Sequence, residues 1–176
     1  MSETQGYRTH IISALVGNRP GVLARVAGLF SSRGYNIDSL AVGETENADI
    51  SRMTIAVHGD EAVLEQIRKQ LSKLIDVLKV QDFLGREFVQ RDLMLIKVSV
   101  GPAKRGEIFD LARVFEGKVV DISATHVLLE ITGPEMKIDA FIELMKPYGI
   151  REVARTGRIA MLRGAKDQPN KPSTAE

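Results

Sequence analysis

Apolar positions change period repeatedly along the chain, and each change marks an element. His10–Val16 is a short apolar run rich in branched residues, which predicts a strand. G-N-R-P-G interrupts it. Leu23, Val26, Ala27 and Phe30 then recur at helical spacing, and Gly34 is placed to end that helix. Tyr35–Val42 reads as a second strand and the polar 43–50 stretch as a hairpin loop. Met53, Ile55 and Val57 alternate with Arg52, Thr54 and Ala56, the pattern of a half-buried strand. Asp60 can cap a helix whose face is Leu64, Ile67, Leu71 and Leu74. Ile75–Phe83 closes the half as a strand, giving the order βαββαβ.

The segment 84–91 reads as a connector, and the same order then returns. Met94, Ile96, Val98 and Val100 alternate as a strand, and Ile108, Leu111, Ala112 and Phe115 form a helical face. Lys118–Ser123 and Val127–Thr132 are predicted strands. Gly133-Pro134 opens a helix carrying Ile138, Phe141, Ile142 and Met145. Ile150–Leu162 is the last strand region, with a bulge expected near Gly157. The fold class is therefore α+β, two ferredoxin-like βαββαβ domains in tandem over 8–84 and 91–163. The polar, proline-bearing tail 164–176 is expected to be disordered. A sheet order of 4-1-3-2 leaves Tyr35–Val42 at an edge. With only Asp38 to blunt it, that edge invites pairing with another chain.

Composition narrows the function. Twenty-four Lys and Arg balance 23 Asp and Glu, a net charge of +1, which argues against nucleic acid or an anionic membrane as the main partner. The chain has no cysteine, so a disulfide scaffold and a thiol nucleophile are excluded, and a cytoplasmic location is expected. No apolar run approaches the roughly 20 residues that span a bilayer. His10, His58 and His126 lack ligand spacing, so no metal site is predicted. Glu61, Glu65, Asp139 and Glu143 read as solvated helix faces, and no nucleophile or phosphate-loop motif occurs, so no catalytic residue is assigned. Arg151, Arg155, Arg158 and Arg163 form a basic stripe read as solvated or partner-facing.

The informative segment is N-R-P-G-V-L, Asn18–Leu23, between the first strand and first helix. Pro20 presets helical φ, Gly21 leaves room beside the backbone, and free amides at a helix start suit a carboxylate. Asn18 adds a side-chain amide, and Asn36, at the start of the edge strand, is expected to reach the same region. Turn chemistry alone also explains each residue. An acylphosphatase-like enzyme using Arg19 and Asn36, and a free-standing amino-acid sensor, are the alternatives.

The string from Asn18 to Gly43, N-R-P-G-V-L-A-R-V-A-G-L-F-S-S-R-G-Y-N-I-D-S-L-A-V-G, resembles the ACT domain of the acetolactate synthase (acetohydroxyacid synthase) regulatory small subunit. The similarity continues at 51–55, 64–74, 91–98 and 150–157. It implies that the first domain is an ACT domain and that the chain is non-catalytic, with no cofactor of its own. In that family a large subunit carries thiamine diphosphate, Mg²⁺ and FAD and condenses pyruvate with a second 2-oxoacid. The small subunit raises that activity and confers feedback inhibition by valine or another branched-chain amino acid. The resemblance further implies a homodimer through ACT edge strands, with the effector between the first loop of one chain and the edge strand of the other. Asn18, Gly21 and Asn36 match effector-contacting positions, and Val22, Leu23 and Ile37 join them as candidate contacts.

Overall fold

A computed structural model describes residues 8–164, so the tail expectation lies, beyond Gly164, outside the described residues. The first half comprises β1 (Arg8–Gly17), α1 (Val22–Ser32), β2 (Ile37–Glu44), β3 (Ile50–Gly59), α2 (Glu61–Leu71) and β4 (Val77–Asp82). The second comprises β5 (Phe88–Ser99), α3 (Arg105–Val114), β6 (Lys118–Ile122), β7 (His126–Gly133), α4 (Glu135–Met145), β8 (Ile150–Arg155) and β9 (Ile159–Leu162). The sheets are ordered β2-β3-β1-β4 and β6-β7-β5-β8, so each half has the 4-1-3-2 arrangement, all antiparallel.

Alternation fixes which face each sheet turns to its helices. Ile12, Ala14 and Val16 of β1 and Met53, Ile55 and Val57 of β3 meet Val22, Val26 and Phe30 of α1 and Leu64, Ile67 and Leu71 of α2. A fully buried side chain of this size contributes about 1.5–3 kcal/mol, so this cluster dominates the stability of the half. The α1 face is the expected one at Val26 and Phe30, but its first turn differs: Val22 is buried, while Leu23 is 46% exposed. The second half builds its own cluster around Met94, Ile96, Leu129, Ile131, Ile138 and Phe141.

Two expectations fail at the ends of strands. Residues 88–91 are not connector but the start of β5, which continues to Ser99. The final strand region is two strands broken at 156–158, where Gly157 has φ +82°. The reasons are linked, because β9 pairs with Phe88–Arg91 while β8 pairs with the later part of β5. The ribbon of β9 and early β5 brings Phe88, Ala160 and Leu162 against Ile11 and Phe83, on the sheet face opposite α1 and α2. Hence β3 is not half-buried: Thr54 and Ala56 are as inaccessible as Ile55.

Among the described residues, no helix is long and apolar enough to cross a membrane, and no group of three or more potential ligands could hold a metal ion.

Candidate functional site

Three segments meet beyond the C-terminal end of β1. Gly17 N–H donates to Asp76 O (2.9 Å), and Asn18 N–H donates to Asp49 O (2.7 Å). The β1–α1 loop is thus tied to both the β2–β3 hairpin and the segment before β4. The Asn18 side chain reinforces this, donating from Nδ2 to Glu44 Oε1 (3.0 Å) and Ala48 O (2.9 Å). Both partners can only accept, so the orientation of the amide is fixed and Oδ1 is left as an acceptor.

Helix α1 starts from Gly21, at φ +84°, with no side-chain cap and no acidic residue in its first turn. Helix α2, by contrast, is capped by Asp60, which accepts from Val63 N–H at 2.8 Å. Val22 N–H is taken by Arg19 O, but the Gly21, Leu23 and Ala24 N–H groups have no partner among the described residues. The positive helix end is therefore open to an anion.

Sequence reasoning missed one cation here. The Arg25 guanidinium is held by Asp76 Oδ2 through Nε (2.8 Å) and Nη2 (2.7 Å). Its Nη1 lies 3.2 Å from where a Cβ of Gly21 would stand. The space beside Gly21 is thus shared with Arg25 and is not open solely to a ligand. Arg25 and Asp76 are 51 positions apart, and only the α-helical placement of Arg25 one turn after Gly21 hinted at the contact.

Asn36 lies elsewhere. Its Nδ2 donates to Asp38 Oδ1 (3.2 Å), and Asp38 Oδ2 contacts His58 Nδ1 at 2.5 Å, near the start of β1. Strand β2 runs from this end to Glu44, beside Asn18. Eight strand residues at about 3.3 Å each place Asn36 and Asn18 about 25 Å apart in one chain. Asn36 does not reach the loop of its own chain, because β2 runs in the same direction as β1, so its place in the site rests on the loop of another chain. Of the other candidates, Val22 is buried in the core and Ile37 packs against it, leaving Leu23 as the accessible apolar group.

Of the basic stripe, Arg151, Arg155 and Arg163 are exposed, as expected, and only Arg158 is buried. Arg155 donates to Asp92, whose side chain is 1% exposed, and to Asp139. Burial disfavours its charge, but hydrogen bonds and the charges of these carboxylates raise its pKa above the ordinary arginine value. Arg158 is buried against Glu135. Thr156 Oγ1 also donates to Asp92, so the 156–158 corner is anchored, and Gly157 sits against Ser39 and Leu40 of β2.

Two family models match the chain. Residues 91–164 match the small subunit of acetolactate synthase, and residues 12–79 match an AHAS small subunit-like ACT domain. A "Probable acetolactate synthase small subunit" of Archaeoglobus fulgidus is 55% identical over 157 residues, 89% of this chain and 98% of that protein. The acetolactate synthase small subunit of Bacillus subtilis is 48% identical over 165 residues, 93% of this chain and 96% of that one. The crystal structure of the small subunit from Thermotoga maritima superposes with a TM-score of 0.82 at 45% identity, covering 89% of this chain and 98% of that one.

Proposed function

Because the chain belongs to the acetolactate synthase small-subunit family, we propose that it acts without catalysis of its own, stimulating a large subunit and conferring inhibition by valine or another branched-chain amino acid. In this reading residues 8–84 are the effector-binding unit, and residues 91–163 take part in coupling to the large subunit.

The observation that carries the effector site is the separation of its halves. The loop at Asn18–Leu23 offers free amides and the positive end of α1 for a carboxylate, with Arg25 adjacent. Asn36 offers Oδ1, since Asp38 takes its amino group, and this oxygen suits an ammonium. One chain cannot present both to one amino acid. Strand β2, however, is a sheet edge with no strand on its outer side among the described residues. Antiparallel pairing of β2 with β2 of a second copy, centred near Leu40, sets Asn36 of one copy opposite Glu44 of the other. Glu44 is the residue that Asn18 holds. A two-fold pair thereby completes two equivalent sites, each with the loop of one chain, Asn36 of the other, and Leu23 as apolar wall.

Inhibition then follows from linkage. An amino acid bound across the pair stabilises that arrangement by its differential affinity, and any large-subunit state that disfavours it is depopulated. The test is reconstitution with a cognate large subunit. Acetolactate formation should rise on adding this chain and fall with valine, and the chain alone should turn over no pyruvate. Pyruvate turnover by the chain alone, or no effect on the large subunit, would refute the reading.

A further inference from the structure

The corner that holds the effector loop is repeated in the second half. Ser99 N–H donates to Gly149 O (2.8 Å), as Gly17 donates to Asp76. Val100 N–H donates to Thr125 O (3.0 Å), as Asn18 donates to Asp49. Ser99 and Val100 are therefore the counterparts of Gly17 and Asn18. Here the corner opens into a cleft of about 410 Å³, lined by Ser99, Val100, Pro102, Lys104, Thr125 and Tyr148 among others. That volume falls within the roughly 300–1,000 Å³ of small-molecule sites.

Three cations gather around this cleft. Lys104 Nζ lies 5.9 Å from the centroid of the Tyr148 ring. Arg105 donates from Nη2 to Ser123 O (2.9 Å) and Ala124 O (3.2 Å), and its Nε is buried without a partner. Arg151 donates from Nε to Ser99 Oγ (2.7 Å) and from Nη2 to Thr125 O (3.4 Å). None of the three makes an ion pair with a carboxylate among the described residues. Glu107 is engaged by the Tyr148 hydroxyl, which raises the phenol pKa and keeps it protonated.

We propose that this cleft is a second ligand site, and that it takes a small organic or inorganic anion that carries no ammonium group. The donor set decides the class. Ser99 Oγ accepts from Arg151 and so keeps its own hydrogen to donate. The turn carbonyls of Ser123, Ala124 and Thr125 are occupied by Arg105 and Arg151. Where the first corner has the polar Asn18 side chain with an unused carbonyl oxygen, this one has Val100. Lys104 and the Ser99 hydroxyl line the cleft, and Arg105 and Arg151 flank it through their bonds to Ala124, Ser99 and Thr125, which favours a carboxylate or phosphate over an α-amino acid. The site does not depend on the effector assignment in the first half.

The experiment is a ¹⁵N–¹H NMR titration of the full chain with 2-oxobutyrate, inorganic phosphate or valine. Saturable shifts are expected at Gly101, Ala103, Lys104 and Thr125 with one or both anions, and the stronger response identifies carboxylate or phosphate. Lys104→Glu should weaken that anion about tenfold or more, because it removes one charge-assisted contact and adds like charge. Lys104→Gln checks the result if the reversal disturbs the fold. Lys69→Glu, on the surface of α2, should leave the affinity unchanged. Non-saturating shifts over the whole surface, or equal loss with Lys69→Glu, would overturn the proposal in favour of diffuse counterion attraction. Saturable valine shifts at these amides would overturn the ligand class. Burial of the same amides by the large subunit without any anion response would make the cleft a docking surface.

Discussion

Gly21 carries two constraints, and only one was visible in the sequence. A glycine after Pro20 signalled a backbone that can be closely approached. The positive φ and the neighbouring Arg25 show that its freedom also serves the chain itself. Gly21→Asp should therefore lower stability by about 1 kcal/mol, since Asp tolerates left-handed backbone better than most residues, and it should also repel an effector carboxylate. Asn36→Leu should change stability little, since the bond it gives up to Asp38 is exposed, but it removes the acceptor for the effector's ammonium. A valine titration of reconstituted enzyme should show inhibition weakened roughly tenfold to a hundredfold by either variant, with stimulation retained. The pairing of Asn18 with Glu44 and of Arg25 with Asp76 was illegible beforehand, because long-range polar contacts leave no periodic trace.

Elements were legible from the period of their apolar residues, whereas the covering of a second sheet face was not. Alternation gave β3 although both its faces are covered, and both sheets adopt the expected order. The covering of Ile11, and the division of the last strand region, depend on β9 folding over the first sheet. The buried Asp92 explains why the corner is sharp: Arg155 and Thr156 turn back to it from consecutive positions. Asp92→Asn should cost about 2–3 kcal/mol, below the full loss of a buried pair because Arg155 is a third exposed, and chemical denaturation should show a lower midpoint with an unchanged slope. Gly157→Ala should add strain at φ +82° and press on Ser39, 3.3 Å from the new Cβ. Hydrogen exchange should then report loosening of β2 before the rest of its sheet. On β2, Val42→Lys should shift the chain from dimer to monomer in sedimentation velocity.

At the scale of the molecule, the tandem repeat and the open edge were readable from element order, whereas the placing of the effector between copies came from the family resemblance alone. The direction of β2, which separates Asn18 from Asn36 within a chain, supplies a physical reason for that placing. A site shared across a two-fold axis makes a sharp prediction for mixed dimers. When Gly21→Asp and Asn36→Leu chains exchange, every heterodimer holds one site with both lesions and one site with neither. Calorimetry should show each parent homodimer binding valine at least tenfold more weakly than the unmodified chain. The exchanged mixture should recover unimpaired affinity at about one quarter of the unmodified capacity, since half of randomly formed dimers are mixed and each has one intact site of two. Absence of any recovered binding in the mixture would contradict the account and return the site to a single chain.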